Sequence, residues 1–461
     1  MKRIVFCFDG TWNRLAADCP TNVVLMAQMI KPVDHKGVAQ IVYYDEGIGT
    51  DSKWNRLTAG AFGQGMLKIL REAYRFLIFN YKAGDEIFAF GFSRGAYTAR
   101  SFIGFIRHAG ILDAVSASKI DRAIDIYRNA PAGTGEESEE GLRFRMENCT
   151  GVCVSDADLE FRKRELQGFD PAKSPILDIA YVGVWDTVRA LGLPDFVPGS
   201  RWINGKYNFH DAVLTSKTKS ARHAVALDEE RPTFRATLFD NIAELNLKSG
   251  FDGNTRPDDD WDAPYQQRWF PGVHGAVGGG GSRRGLSDGA MAWILIGARK
   301  AGLEVRNEND ELVFTLRPNP FDYLHNESTR TIWQRGLFAT LRGLFHSPRK
   351  GPVMLEDLHR SVLLRHYAAA ESLADVQPYR PGALKNATAA IARWPCADFI
   401  QTKSASAEYK VVKGDTMARI AEEHLGDAKR SPEIFAANRD RIDDPNYINI
   451  DDKLRIPIDM H

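Results

Sequence analysis

The sequence predicts an α/β fold in which helices flank a mostly parallel sheet. Short apolar runs at residues 3–8, 40–44 and 86–92 have the composition of buried strands. Between them, residues 21–30 have the pattern of a capped helix, and residues 64–81 place apolar side chains three and four positions apart, which is the spacing of one helix face. Strands that alternate with helices pair in parallel, because each helix returns the chain to the starting end of the sheet.

The third apolar run ends in a Gly-x-Ser-x-Gly pentad at residues 91–95, and a helical pattern follows directly. Strand, pentad and helix in this order form the nucleophile elbow of α/β-hydrolases, whose sharp turn pushes the serine hydroxyl out of the sheet. Gly91 and Gly95 keep Cβ atoms away from the place where strand and helix crowd together. We therefore predict an α/β-hydrolase fold with Ser93 as nucleophile. The alternative is a tight turn with a passive serine.

The first apolar run ends in the turn-forming residues Asp9, Gly10, Thr11 and Asn13. In open α/β sheets the carboxyl ends of the strands face the ligand crevice. The N–H groups of Gly10 and Thr11 are therefore predicted to form half of an oxyanion hole. The N–H of Arg94, at the start of the helix after the serine, is predicted to form the other half. The alternative is an ordinary turn.

Residues 115–175 depart from the alternating pattern. A short helix at 120–128 precedes a Gly/Glu-rich run at 131–140, which is typical of a solvated loop, and a strongly charged helical stretch follows. We interpret this segment as a helical insertion that caps the active site.

The next buried strand ends at Asp186. A carboxylate at the carboxyl end of a strand downstream of the serine is where this fold holds the acid that orients its histidine. Asp186 is the predicted acid, with a turn-capping aspartate as the alternative. Its competitor is Asp228, which we expect on a helix ahead of a strand at 233–239. There it would pair with Arg222 or Arg231.

A histidine follows the apolar run 268–273 and precedes four consecutive glycines at 278–281. Such glycines suit a mobile loop that brings the imidazole of His274 over the serine. His210 and His223 lack this context and are the rival candidates. The order serine, aspartate, histidine is also the chain order of α/β-hydrolases.

Composition argues against several classes of function. The chain has 60 Lys and Arg against 60 Asp and Glu, and this zero net charge argues against a nucleic-acid partner. No apolar run reaches the ~18–20 residues of a membrane span, and the N-terminal segment is too short in apolar residues for a signal peptide. We expect a chain made in the cytoplasm without a transmembrane segment.

The five cysteines form no disulfide framework, which suits a reducing site of synthesis. Cys149 and Cys153 would either pair in an oxidising compartment or remain two loop thiols. No second pair of Cys or His stands at ligand spacing, so we expect no metal and no cofactor.

The length implies more than one folding unit. We assign residues 1–400 to a catalytic domain whose C-terminal part, about 320–400, is helical. A linker at 401–407 leads to a small unit at 408–461, whose caps and short terminal strands predict a βααβ arrangement.

One segment of the helical part has an unusual composition. Residues 328–346 combine an apolar face with basic flanks that include Arg349 and Lys350. This pattern suits either a packed core helix or a helix that lies at a membrane interface.

Four stretches match a known family: Phe-Asp-Gly-Thr-Trp-Asn at 8–13, Gly-Phe-Ser-Arg-Gly-Ala at 91–96, Val-Gly-Val-Trp-Asp-Thr-Val at 182–188 and Trp-Phe-Pro-Gly-Val-His at 269–274. They resemble the α/β-hydrolase family that includes the phospholipase effectors of bacterial type VI secretion. The resemblance implies a triad of Ser93, Asp186 and His274 and a glycerophospholipid substrate. Members often carry an acid two residues after the histidine, where this chain has Ala276. If that acid tunes the histidine, activity is weakened or altered.

The unit at 408–461 resembles a LysM module, through Tyr409–Ala421 and the closing run at 453–457. LysM modules bind the N-acetylglucosamine backbone of peptidoglycan or chitin, so the resemblance implies a glycan partner. The second loop, Ile450-Asp451-Asp452, departs from the usual Pro-Gly.

The function expected from these features is that of a serine lipase or phospholipase at a phospholipid membrane surface. The resemblance implies a secreted antibacterial effector, and a glycan-binding tail without a signal peptide indicates export by a signal-independent route to a target periplasm or membrane. Secretion-machine and immunity proteins are its expected partners. Two alternatives stay open: an inactive wall-binding or adaptor protein, and a cytoplasmic esterase on soluble esters.

Overall fold

The structure is a computed structural model in which most of the chain is described. The described residues are 1–10, 18–47, 59–129, 137–188, 214, 217–231, 234–251, 263–306, 315–326, 348–392, 406–425, 428–431, 434–435, 438, 441–442 and 447–457. Several sequence predictions lie outside them, namely those for Thr11, His210, the loop residues 131–136, the helix at 328–346 and the linker residues 401–405.

A parallel sheet organises the larger part of the described chain. Its strands are β1 (Arg3–Phe8), β2 (Gln40–Asp45), β3 (Glu86–Phe92), β4 (Ile179–Trp185), β5 (Ala221–Ala226) and β6 (Tyr265–Phe270). Their order is β2-β1-β3-β4-β5-β6, and every neighbouring pair is parallel. All six carboxyl ends therefore lie along one edge. The prediction of a mostly parallel sheet is confirmed.

Helices occupy much of the chain between and after these strands. They are α1 (Asn22–Met29), α2 (Ala59–Asn80), α3 (Arg94–Ala109), α4 (Ile120–Asn129), α5 (Glu139–Asn148), α6 (Asp156–Glu165), α7 (Ile242–Lys248), α8 (His274–Gly278), α9 (Gly285–Lys300), α10 (Arg360–Tyr367) and α11 (Thr388–Ala392).

Each face of the sheet carries its own hydrophobic core. Along β1, Ile4 and Phe6 join the core formed with α2 and α3, whereas Val5 and Cys7 join the core formed with α1 and α9. This alternation is the period of two expected of a strand that is buried on both faces. The sheet thus lies between two helical layers, and only its edges are left for a site.

The C-terminal unit has a separate small core. Strands β7 (Ser406–Lys410) and β8 (Lys453–Pro457) pair antiparallel, and α12 (Met417–Leu425) packs on them. Ile420 and Leu454 are fully buried at its centre. The first helix and both strands of the predicted βααβ unit are present, and its second helix falls on residues described only in part.

The prediction for Asp228 is wrong. The preceding residues form β5 rather than a helix, because a short run buried on both faces is a strand. The Asp228 carboxylate accepts hydrogen bonds from the N–H of Gly272 at 2.6 Å and the hydroxyl of Tyr379 at 2.8 Å, not from the predicted arginines. The described residues 234–239 also form no strand.

The prediction of a cap over the active site is wrong for the described helices of the insertion. Arg145 of α5 donates to the carbonyl of His108 at 2.6 Å, and the thiol of Cys149 donates to the carbonyl of Ala109 at 3.3 Å. Both acceptors lie at the C-terminal end of α3, whereas Ser93 precedes its first residue. A helix of that length separates the two ends by roughly 24 Å.

The cysteines, the potential metal ligands and the helices of the described residues bear on three further predictions. Cys149 and Cys153 are free and buried, which fits the thiol alternative. The described residues hold no group of three or more His, Cys, Asp or Glu that could bind a metal ion. Of the helices described, none is both long enough and apolar enough to cross a bilayer.

Candidate active site

Ser93 stands at the sharp turn between β3 and α3. Its backbone has φ of 59° and ψ of −125°, a conformation that costs energy for a residue with a Cβ. The turn is held because the Ser93 N–H donates to the carbonyl of Trp185 at the end of β4, at 3.0 Å. The serine hydroxyl is thereby fixed at the carboxyl edge of the sheet.

The two glycines of the pentad are required by packing. A Cβ at Gly95 would overlap the carbonyl oxygens of Phe8 and Asp9. A Cβ at Gly91 would lie 2.7 Å from the backbone nitrogen of Ala96. Neither backbone can move without breaking β1 or α3, so the strand–turn–helix arrangement needs glycine at both positions.

His274 is the first residue of the short helix α8, not part of an irregular loop as predicted. Its backbone N–H donates to the carboxylate of Glu229 at 3.2 Å. A Cβ at Gly278, the first of the four glycines, would overlap the ring of Phe92. The glycine therefore allows α8 to pack directly against the residue that precedes Ser93.

Asp186 follows β4 and has φ of 38°, so it also turns sharply at the carboxyl edge. Its carboxylate is fully buried and accepts four hydrogen bonds. Oδ1 accepts from the N–H of Ala226 at 2.9 Å and from Arg349 Nη1 at 2.6 Å. Oδ2 accepts from His274 Nδ1 at 2.5 Å and from Arg349 Nη2 at 2.9 Å.

The three predicted triad residues form one hydrogen-bonded series. Ser93 Oγ lies 2.7 Å from His274 Nε2, and the other ring nitrogen bonds to Asp186. A ring that donates from Nδ1 to the carboxylate presents Nε2 as an acceptor for the serine proton. Ser93 and His274 are each 6% exposed, so the series is largely shielded from bulk water.

Burial and nearby charges set the protonation state of the imidazole. Burial lowers the pKa of His274 below its ordinary value of 6.5, Asp186 opposes this shift, and Arg349 adds to it. The centroids of the Phe92 and Phe234 rings lie 4.6 Å and 4.7 Å from that of the imidazole and contribute to its burial. The imidazole is therefore neutral near pH 7, which is the form that accepts a proton.

Arg349 is a site residue that the sequence does not predict. It lies 163 residues beyond Asp186, and its side chain is 6% exposed. Burial favours the protonated carboxyl, but the Arg349 charge and the His274 hydrogen bond hold the pKa of Asp186 well below its usual range. One arginine in a basic run forms no motif, so no sequence signal separates it from its neighbours.

The predicted oxyanion donors are described in part. Arg94 is the first residue of α3, so its N–H heads that helix beside Ser93. The N–H of Gly10 donates to the Asp9 carboxylate at 2.6 Å, and its use by an oxyanion would require that bond to be exchanged. Thr11 lies outside the described residues. The roles of Arg94, Gly10 and Thr11 stay predictions.

The rival histidine His223 is occupied elsewhere. Its Nε2 accepts the N–H of Thr187 at 3.1 Å, and its Nδ1 lies 2.9 Å from Gln267 Oε1. Burial, aided by the charge of Arg100, lowers its pKa to about 3. A neutral ring with both nitrogens engaged supports the turn after Asp186 rather than the serine.

Ala276, the position where the resemblance leads one to expect an acid, is 2% exposed. A Cβ added at Gly272 would lie 2.7 Å from the Ala276 Cβ, so the surroundings are tightly packed. Besides Asp186, the acid Glu229 contacts α8: its carboxylate accepts the His274 N–H at 3.2 Å and is paired with Arg231 at 2.8 Å.

The protein has a parallel sheet between two helical layers, and a serine, an imidazole and a carboxylate are hydrogen-bonded in series at the carboxyl edge of that sheet. These features define its class, an α/β protein with a candidate site of serine, histidine and aspartate. The chain belongs to the T6SS phospholipase effector Tle1-like family, whose catalytic-domain model matches residues 2–296. A LysM domain model matches residues 409–457. The suspected family and the second module are both confirmed.

Similar proteins were found in yeast and bacteria. An uncharacterized protein of Saccharomyces cerevisiae, YEL023C, is 26% identical over 252 residues, which cover 52% of this chain and 33% of that protein. A crystal structure of an uncharacterized Pseudomonas aeruginosa protein aligns at 17% identity with a TM-score of 0.39, over 94% of this chain and 64% of the other. The Tle1 effector bound to the VgrG spike of the type 6 secretion system aligns at 18% identity with a TM-score of 0.31, over 60% and 51%. This chain thus spans a third of the length of its yeast relative.

Proposed function

We propose that this protein is a serine phospholipase with an α/β-hydrolase fold that hydrolyses carboxylic esters of glycerophospholipids. The hydrogen-bonded series from Ser93 through His274 to Asp186 carries the proposal, because its order and lengths are those that acyl transfer requires. Membership in a phospholipase effector family supports the lipid class of the substrate.

The proposed chemistry uses each member of the series once. His274 Nε2 takes the proton as Ser93 Oγ attacks the ester carbonyl, and Asp186 stabilises the imidazolium that forms. The N–H groups of Arg94 and of the Gly10–Thr11 turn would hold the oxyanion. The lysophospholipid alcohol leaves with the proton from His274, and water then releases the fatty acid from the acyl-enzyme.

Mass spectrometry of mixed phosphatidylethanolamine and phosphatidylglycerol vesicles tests the proposal. The wild type should release fatty acid and lysophospholipid, and Ser93→Ala should lose at least about 10³-fold in kcat. Ser101→Ala is the matched control, since Ser101 is a buried serine of α3, the helix that follows Ser93, and lies outside the series. Product release by Ser93→Ala at the wild-type rate would contradict the assignment.

Two further assays separate the alternatives. A fluorophosphonate probe labels an activated serine, so a folded wild type that stays unlabelled at Ser93 would favour an inactive wall-binding or adaptor protein. Faster hydrolysis of short soluble esters than of vesicles would favour an esterase on soluble substrates.

We also propose a division of labour along the chain. Residues 1–400 would form the catalytic unit, and residues 408–461 would bind peptidoglycan or a related glycan, as the LysM match supports. Delivery by type VI secretion, with secretion-machine and immunity proteins as partners, belongs to the same proposal. Co-sedimentation with insoluble peptidoglycan, competed by chito-oligosaccharide, tests the glycan part; binding that the oligosaccharide does not reduce would count against it.

A further inference from the structure

The Arg349 guanidinium faces the Asp186 carboxylate edge to edge. Both terminal nitrogens contribute, with Nη1 on Oδ1 at 2.6 Å and Nη2 on Oδ2 at 2.9 Å. The same nitrogens donate to the carbonyls of Ala226, at 2.8 Å, and Phe234. Four oxygen acceptors, two from the carboxylate and two from backbone carbonyls, therefore hold the buried guanidinium in one orientation. An arginine can make this planar, two-nitrogen arrangement and a lysine cannot.

This contact changes the charge of the site. In a triad of serine, histidine and aspartate alone, the buried carboxylate is balanced only when the imidazole is protonated. Here the carboxylate already has a full positive partner in Arg349. A proton taken by His274 would leave a net positive charge in a nearly dry site, which is less favourable than in a site without the arginine.

The other charged groups around the site offset this effect only in part. Glu229, whose carboxylate accepts the His274 backbone N–H, raises the pKa of His274, but its charge is paired with Arg231 at 2.8 Å and the pKa of His274 stays below its ordinary value. His223, held near the Asp186 turn through Thr187, is neutral because burial lowers its pKa to about 3. Arg349 is thus the charged group in direct contact with Asp186 among the described residues.

We propose that Arg349 is a positioning residue that holds Asp186 against His274 and balances the charge of its carboxylate. His274 is thereby a weaker base, whose imidazolium form loses its proton more readily. The inference rests on the proposed function, since it concerns the base of that reaction. It adds a residue from the C-terminal part of the chain to the site.

The test uses the rate of fluorophosphonate labelling of Ser93 as a function of pH, on the full chain. In that reaction Ser93 Oγ forms a bond to phosphorus, fluoride leaves and His274 takes the proton. Arg349→Met should move the acidic limb of the profile upward by at least about one pH unit, because an unbalanced carboxylate favours the imidazolium. Lys350→Met removes the same charge one residue away and should leave the limb in place.

A second variant covers the case in which Arg349→Met does not fold. Arg349→Lys keeps the charge but cannot reach four acceptors at once. Its acidic limb in the labelling profile should stay within about 0.3 pH units of the wild type, because the counter-charge of Asp186 remains. The labelling rate should fall at least about tenfold, because Asp186 no longer holds His274 in alignment with Ser93.

The possible outcomes are distinguishable. If the wild type is not labelled at Ser93, the proposed function fails. If it is labelled and a folded Arg349→Met keeps the wild-type limb, the charge role is overturned although the enzyme assignment stands. If Arg349→Lys labels at the wild-type rate, the positioning role is overturned.

Discussion

Replacing Asp186 with asparagine should damage stability and activity together, for a reason that lies in its hydrogen bonds. Each carboxylate oxygen accepts two donors: Ala226 N–H and Arg349 on Oδ1, His274 and Arg349 on Oδ2. The new amide has one oxygen and one NH₂ group. In either orientation the NH₂ faces two N–H donors, and no rotation removes the conflict.

The magnitude follows from what is left unpaired. Arg349 has a side chain that is 6% exposed and would keep a charge without its counter-ion. Removing one partner of a buried ion pair costs about 3–5 kcal/mol, which is a large part of the ~5–15 kcal/mol that stabilises a typical domain. Loss of the acceptor for His274 Nδ1 also favours the wrong tautomer, and kcat should fall by about 10⁴.

Urea unfolding and vesicle hydrolysis measure the two effects. Asp178→Asn is the matched control, because Asp178 is a partly exposed carboxylate paired with Lys219 at the surface. It should change stability by no more than about 0.5 kcal/mol. The double variant Asp186→Asn, Arg349→Met should recover stability but not activity. If Asp186→Asn unfolds at the wild-type urea concentration, the buried pair does not have the energetic role that its geometry indicates.

Three further predictions follow. Gly95→Ala should lose at least about 2 kcal/mol because its Cβ overlaps β1, whereas Gly151→Ala, with nothing within 4 Å, should stay within about 0.5 kcal/mol; equal urea midpoints would contradict this. The acidic limb of kcat/KM should lie below pH 6.5, because the pKa of His274 is lowered and the ring stays neutral as pH falls; a midpoint above 7 would be incompatible. Burial raises the pKa of Asp228 from 3.8 to about 6, so ionisation of this carboxyl lowers the stability of the fold progressively as the pH rises from 3.8 to about 6. Asp228→Asn should therefore gain up to about 3 kcal/mol relative to wild type between pH 4 and pH 8, and a pH-independent difference in unfolding free energy would refute it.

Local patterns predicted the sheet and the series of three side chains because both depend on short stretches. The pentad at 91–95 carries its own packing requirement, since the overlaps at its two glycines involve residues of the adjoining strand and helix. Asp186 and His274 each follow a buried strand, and parallel strands bring such positions to one edge. His274 Nδ1 and Asp186 Oδ2 lie 2.5 Å apart there, while the catalytic roles predicted from chain order stay predictions.

Contacts between distant segments could not be predicted in the same way. Asp228 follows a strand of six residues whose pattern is equally compatible with a helical turn, and only pairing with β4 and β6 decides between them. Helix α4 of the insertion is amphipathic, but an apolar face does not specify which end of α3 it will cover. Arg349 lies in a basic flank in which no local pattern distinguishes it, because its partners are a carboxylate and two carbonyls from other parts of the chain.

The family match ends at residue 296, yet the charge balance of the site depends on residue 349. The segment that carries Arg349 continues into residues that pack on the last strand: the His359 N–H donates to the carbonyl of Trp269 at 2.9 Å, and Leu358 and Trp269 share one core. Burial of that core stabilises the segment that follows Arg349. We therefore expect a change in the packing of the C-terminal helical part to alter the electrostatics of His274 through Arg349, although it touches none of the three side chains in the series.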